Sequence, residues 1–185
     1  MAWFKRKEKK FKNPEKKSIP DGLWDKCPSC DEIIYRPELE KNLSVCHHCG
    51  HHFRVLPQLY VDLLLDRGSE TRYFENLGPK DFLAFKANKP YKDQIIAAKA
   101  KTGEQDAIRI YKGKMNGNDV IMGVMNFQFI GGSMGSVVGE AVSRSLVMAG
   151  EKKIPLIMIC SSGGARMQEG AISLMQLAKL SLIHI

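Results

Sequence analysis

The residues best suited to chemistry fall into two groups. The first is Cys27-Pro28-Ser29-Cys30 followed, fifteen residues later, by Cys46-His47-His48-Cys49. C-x2-C-x15-C-x2-C is the spacing of a four-cysteine zinc site, in which two tight knuckles each aim two thiolates at one metal about 2.3 Å away. His47, His48, His51 and His52 stand close by and admit a Cys3His set. Four cysteines at this spacing nevertheless favour Cys27, Cys30, Cys46 and Cys49 as ligands, with the histidines as bystanders. A site whose four positions are all filled by protein is structural rather than catalytic. One such Zn2+ would supply most of the folding energy of so small a module.

The second group is rich in glycine. Gly131-Gly132-Ser133-Met134-Gly135 and Ser161-Ser162-Gly163-Gly164-Ala165-Arg166 each follow an apolar, strand-like run and precede a helical pattern. Glycine permits positive φ and close approach of a ligand. A turn at a helix start leaves N–H groups unpaired where the macrodipole favours negative charge. Two adjacent N–H groups aimed at one point make an oxyanion hole, which can stabilise an enolate or a tetrahedral oxyanion, or hold a phosphate. Known phosphate loops do not fit, because Glu140 follows Gly139 where a P-loop needs Lys, and G-x-G-x-x-G is absent. On spacing alone, two tight packing turns remain an open alternative. A hydrolase is disfavoured. Cys160, Ser161 and Ser162 sit at a strand end, but Ser162-Gly163-Gly164 lacks the G-x-S-x-G elbow, and apart from His184 the histidines lie near the cysteines.

These groups need elements to hold them. Ile33-Ile34-Tyr35 and Leu43-Ser44-Val45 read as short ribbon strands, with Pro37 in the connection. Leu59, Leu63 and Leu64 fall on one face of a helical run that stops near Gly68. Residues 91–101 read as a second helix with Ile95, Ile96 and Ala98 as its stripe and Gly103 as its cap. Asp81 and Asp93 in this stretch read as solvated carboxylates. Residues 107–111 and 120–130 read as strands around an Asn116-Gly117 hairpin turn. Val138, Ala141, Val142, Ser145, Val147 and Met148 are expected inside the helix from 136 to about 149. After a strand over 154–160, Ile172, Met175 and Ala178 are expected inside a helix over 167–179. Alternating strands and helices predict an α/β domain.

The chain has 185 residues, 44% of them apolar and 26% charged, which excludes a disordered chain, a collagen-like repeat and a coiled coil. No window holds the roughly 18 uncharged apolar residues of a membrane span. Five cysteines are too few, and odd in number, for a disulfide scaffold. Lys and Arg exceed Asp and Glu by eight. Most of that excess lies before residue 18, where Lys5, Arg6, Lys7, Lys9, Lys10, Lys12, Lys16 and Lys17 face only Glu8 and Glu15. Residues 1–26 therefore read as a basic flexible arm, without the apolar stretch of a signal peptide. The arm is either a solvated tail or an electrostatic contact for nucleic acid or an acidic partner.

Taken in order, the basic arm, C-x2-C-x15-C-x2-C-G-x-H, Phe-Ile-Gly-Gly-Ser-Met-Gly-Ser-Val-Val-Gly-Glu and Ser-Ser-Gly-Gly-Ala-Arg-Met-Gln-Glu-Gly closely resemble the β subunits of bacterial and plastid acetyl-CoA carboxylase carboxyltransferase. The resemblance implies a crotonase-like fold of repeated ββα units, incomplete here, preceded by the zinc ribbon. It implies transfer of a carboxyl group from carboxybiotin to acetyl-CoA, giving malonyl-CoA for fatty acid synthesis in the cytoplasm. The biotin is supplied in trans on a biotin carboxyl carrier protein. An α subunit, in an α2β2 assembly, and biotin carboxylase complete the expected partners. Gly163 and Gly164 would form the oxyanion hole for the acetyl-CoA enolate, and a second hole for the biotin ureido oxygen would come from the α subunit. Gly131, Gly132, Ser133 and Gly135 would shape the acyl-CoA pocket. Arg166 would orient the turn or meet a CoA phosphate, or serve as a structural ion pair. Biotin taking the proton itself would account for the missing side-chain base.

Five segments are expected: the arm (1–26), the zinc ribbon (27–52), a helical connecting segment (53–106), the first part of the carboxyltransferase domain (107–179), and a tail foreign to the family (180–185). Codons for the last six residues can spell a transposase adapter end, so the chain is read as a fragment, inactive alone. Two competing readings are a zinc-ribbon nucleic-acid-binding protein and a crotonase-like hydrolase or isomerase, which would need a base not evident here.

Overall fold

The computed structural model describes residues 22–182, so most of the expected arm and the last three residues of the expected tail lie outside the described residues. Contacts divide the chain into two units, Met1–Val55 and Leu56–Ile185.

In the first unit β1 (Trp24–Lys26) pairs antiparallel with β2 (Ile33–Tyr35), and α1 (Arg36–Lys41) follows at once. Pro37 lies in the first turn of α1, where a helix has no use for its missing N–H. The strand expected over 43–45 does not form. The amides of Asn42, Leu43 and Ser44 turn back to the α1 carbonyls of Glu38, Glu40 and Leu39, so they cannot enter a ladder. Leu43 and Ser44 take positive φ in doing so, and Val45 makes only an isolated bridge to His52. Ile34 and Leu39 pack with Cys27 and Cys46 in a very small core.

The second unit opens with α2 (Pro57–Leu64), β3 (Thr71–Tyr73) and α3 (Tyr91–Thr102), which ends on left-handed Gly103. It continues with β4 (Ile108–Met115), β5 (Asn118–Met125), α4 (Ser136–Lys152), β6 (Leu156–Ile159) and α5 (Ala171–Leu182). The sheet order is β3-β4-β5-β6. The stretch expected as a helical connection therefore contributes a strand, antiparallel to β4. β4 and β5 form the expected hairpin, with Asn116 and Gly117 both at positive φ, and β6 joins β5 in parallel.

The sheet is covered on both faces, which is why β5 reads as a continuous apolar run. Ile108, Ile110 and Ile121 face Val138, Ala141 and Ala149 of α4. Tyr111, Val120, Met122 and Val124 face Val61 and Leu65. The buried side of α2 is thus Val61, while the expected Leu63 and Leu64 are exposed. Ile96 of α3 and Val147 of α4 also point outward. The inner side of α5 is polar: Ser173 and Gln176 are buried, and the expected Met175 is exposed. Gln176 lies against Gly139 so closely that α4 and α5 meet where no Cβ could stand, and a long aliphatic face would hold them apart. Among the described residues, no helix is long and apolar enough to cross a membrane.

Candidate functional site

The cysteine cluster is built from two equivalent knuckles. The Cys27 amide donates to the Glu32 carbonyl (2.9 Å) and the Asp31 amide to the Cys27 carbonyl (3.0 Å). The Cys46 amide donates to the His51 carbonyl (2.8 Å) and the Gly50 amide to the Cys46 carbonyl (2.9 Å). In each, the residue four after the first cysteine takes positive φ: 61° at Asp31 and 73° at Gly50. The four Sγ atoms lie within 4.8 Å of one another, with Cys27–Cys49 at 3.7 Å and Cys30–Cys46 at 3.8 Å. A disulfide would need about 2.05 Å. A tetrahedron with metal–sulfur bonds of about 2.3 Å has edges of about 3.8 Å. The donor set therefore fits Zn2+, which Cys27, Cys30, Cys46 and Cys49 would hold as a structural ion. The His47 and His48 rings lie 4.0 Å apart, tilted by 44°, and are exposed, outside the cluster.

The thiols show why a cation belongs there. The Glu32 amide pulls Cys30 down, but burial and the other three thiols outweigh it and push Cys30 up to about 12. The His51 amide draws Cys49 down to about 7. Four thiols this close cannot all ionise without a positive charge among them.

The glycine turns meet across the ends of two neighbouring strands. After β5, Ile130, Gly131 and Gly132 take positive φ in a 3-10 turn, and α4 begins at Ser136. After β6 the chain runs through Ser161-Ser162-Gly163-Gly164 into a second 3-10 turn, Met167–Glu169, and then α5. Three backbone bonds join the turns: Gly163 N–H to the Gly131 carbonyl (2.9 Å), Met134 N–H to the Gly164 carbonyl (2.8 Å), and Arg166 N–H to the Met134 carbonyl (2.9 Å). A Cβ on Gly132 would overlap the Ser161 carbonyl oxygen.

Arg166 lies beneath this junction and is fully buried. Its guanidinium donates to both oxygens of Asp106 (2.5 and 2.8 Å), to the Ser133 carbonyl (2.8 Å), to Ser133 Oγ (3.1 Å) and to Tyr91 Oη (3.1 Å). Burial opposes its charge, but the Asp106 carboxylate outweighs burial and holds it cationic. The Tyr91 hydroxyl donates to Glu169 Oε1 (2.7 Å), and burial pushes that hydroxyl well above its ordinary value.

The expected site residues thus divide. Gly163 and Gly164 are exposed, on the open side of the junction. Their N–H groups are not free as expected: Gly163 donates to Gly131, and Gly164 donates to its near neighbour Ser162 Oγ at 3.0 Å. The first bond is part of the backbone frame, whereas the second ends on a rotatable side chain. Gly131 is half-buried, and Gly132, Ser133 and Gly135 are buried, holding the first turn from within. Arg166 has no exposed surface to offer a phosphate, and its contacts are those of an ion pair that orients the turn. Tyr91, Asp106 and Glu169 escaped the sequence reading. Glu169 had a local signal, three residues after Arg166 in the second motif. Tyr91 and Asp106 lie 75 and 60 positions from Arg166, with none.

Comparison with known proteins bears on both regions. The acetyl-CoA carboxylase zinc finger domain matches residues 24–49. The carboxyl transferase domain matches residues 80–182. The acetyl-coenzyme A carboxylase carboxyl transferase subunit beta of Pedobacter heparinus is 49% identical over 98% of the chain, which spans 65% of that protein's length. A transcarboxylase 12S crystal structure with methylmalonyl-coenzyme A bound superposes with a TM-score of 0.55 at 23% identity, over 80% of this chain and 25% of that one. A Pseudomonas malonate decarboxylase hetero-tetramer superposes with a TM-score of 0.51 at 20% identity, over 70% of this chain and 45% of that one. Together with the carboxyl transferase domain match, the two structures bear out the crotonase-like α/β fold that the resemblance implied.

Proposed function

This chain belongs to the carboxyl transferase domain family, and from that premise we propose that it is the greater part of an acetyl-CoA carboxylase carboxyltransferase β subunit. It transfers the carboxyl group of carboxybiotin to acetyl-CoA. The acetyl methyl loses a proton, its carbon forms a bond to the carboxyl carbon, the N–CO2 bond breaks, and the biotin nitrogen ends protonated. The products are malonyl-CoA and biotin. The partners are an α subunit, the biotin carboxyl carrier protein and, in the wider complex, biotin carboxylase, all in the cytoplasm.

One observation supports this reading most directly: an exposed Gly163–Gly164 turn rests on a rigid buried ion pair, and only a serine hydroxyl covers the Gly164 N–H. Loss of the methyl proton places negative charge on the thioester oxygen, where a preorganised N–H is most effective. Rotation of Ser162 about χ1 uncovers the Gly164 N–H for that oxygen. Gly163 keeps the turn in register through Gly131.

The test uses the full-length β subunit assembled with its α subunit and a carboxylated carrier. Gly164→Ala strains a backbone at φ +109° while meeting no neighbour within 4 Å. Malonyl-CoA formation is expected to fall about 100-fold in kcat. Because Ala keeps the N–H and alters only its setting, unchanged kcat would count against a preorganised Gly164 N–H.

An additional nucleic-acid contact through the ribbon is supported by the exposed Trp24 and Tyr35 rings, 5.1 Å apart on the β1–β2 hairpin. Salt-insensitive or absent RNA binding by the assembled enzyme would end that second reading.

A further inference from the structure

α4 begins without a side-chain cap of its own, since Gly135 occupies the N-cap position. Its cap comes instead from the other glycine turn. Glu169 Oε2 accepts the Ser136 N–H at 2.6 Å. Its other oxygen accepts the Tyr91 hydroxyl at 2.7 Å and lies 3.4 Å from the Arg166 guanidinium. The Glu169 amide returns to the Arg166 carbonyl at 3.1 Å.

Charge makes this arrangement unusual. Glu169 is 1% exposed, and Arg166, the buried cation beside it, already donates two short bonds to Asp106. A second buried carboxylate is therefore not needed to neutralise Arg166, and its desolvation is costly. What offsets that cost is the positive end of a seventeen-residue helix. The sequence also leaves room for it, because a Cβ on Gly135 would collide with Glu169 Oε1.

We infer that Glu169 is a positioning residue for carboxyl transfer, clamping the start of α4 to the Gly163–Gly164 turn so that the two turns move as one body. The inference rests on the oxyanion reading of that turn. The backbone bonds join the turns above, and Glu169 joins them from below through a helix end. Loss of the clamp would let the Gly164 N–H wander from the developing charge without changing what binds on the surface.

Glu169→Gln in the full-length, α-assembled enzyme keeps the shape but sets an N–H2 group against the Ser136 amide or the Tyr91 hydroxyl. The kcat for malonyl-CoA formation is expected to fall roughly 10- to 100-fold, with the KM for acetyl-CoA within about threefold. Amide exchange should quicken in residues 160–168 and stay unchanged in residues 141–150 of α4. Wild-type kcat in a folded E169Q enzyme would overturn the inference, as would faster exchange throughout α4, which marks general loosening. Should E169Q fail to assemble, Tyr91→Phe removes one donor to the same carboxylate and decides by the same readouts, with an expected kcat loss of about threefold. Gly164→Ala run in parallel separates the two ideas. An active G164A enzyme sinks the oxyanion reading, whereas an inactive G164A beside a normal E169Q sinks only the clamp.

Discussion

The Gly163 amide donates to the Gly131 carbonyl at 2.9 Å, and this bond makes one backbone platform of two glycine turns 32 residues apart in the chain. Gly132 is where the platform is packed most closely, with φ +64° and the Ser161 carbonyl in the way of any Cβ. Gly132→Ala is expected to destabilise the protein by about 2–4 kcal/mol. Gly150→Ala, in α4 with nothing within 4 Å, should instead stabilise it by up to about 1 kcal/mol. Urea melts of the two variants check the contrast, and equal stabilities would contradict the packing described.

On the proposed oxyanion role of Gly164, Ser162 Oγ, which accepts the Gly164 N–H at 3.0 Å, would compete with substrate for it. Ser162→Ala is expected to lower the KM for acetyl-CoA about two- to fivefold while kcat holds, the size of one modest hydrogen bond. Steady-state kinetics of the assembled enzyme measure it. A raised KM would show that the hydroxyl binds substrate instead of blocking it.

Asp106 and Glu140 both pair with arginine, in opposite surroundings. Asp106→Ala takes the two-point partner from the buried Arg166 charge, leaving it the more distant Glu169 carboxylate, and should cost about 3–5 kcal/mol. Glu140, one third exposed between Lys179 and Arg144, should cost less than about 1 kcal/mol when replaced by Ala. Chemical denaturation of both variants decides whether burial sets the difference.

Tyr91 predicts an alkaline limb. Burial raises its hydroxyl in the folded state above the ordinary value of 10.0, so the neutral form is favoured by folding. The resulting stability is complete below pH about 10 and declines above it, by at most about 1.4 kcal/mol per pH unit. Tyr91→Phe should flatten that decline. Urea stability followed from about pH 9 to 11 gives the slopes, and identical slopes would remove Tyr91 as the cause.

One zinc per chain is expected, and chelation should unfold the ribbon, because Ile34 and Leu39 are its main buried aliphatics. Amide exchange over residues 24–52 before and after chelation measures this. Protection that survives metal removal would show that the ribbon folds without its ion.

What could be read in the sequence was local. Each cysteine pair lies within a few residues, so spacing alone located the metal cluster, and the two glycine runs were legible as turns between a strand and a helix. The hairpin at Asn116-Gly117 was legible for the same reason. The support beneath the turns was not, since Tyr91, Asp106 and Arg166 meet only after α3, the sheet and the second turn have assembled. Helix faces misled where tertiary packing overrode periodicity. Val61 rather than Leu63 faces the sheet, and Ser173 and Gln176 lie inside α5 because α4 offers Gly139 there. The expected strand at 43–45 failed because its amides cap α1.

The two cysteine knuckles close themselves with matching backbone bonds, each complete within six residues. Of the fifteen residues between Cys30 and Cys46, Asp31 and Glu32 belong to the first knuckle, so residues 33–45 close none of the knuckle bonds. That part of the connection is free to lengthen or shorten provided Ile34 and Leu39 still reach the cysteines they pack against. An insertion inside either Cys-x2-Cys pair would have no such freedom, so drift in the ribbon should be confined to its middle.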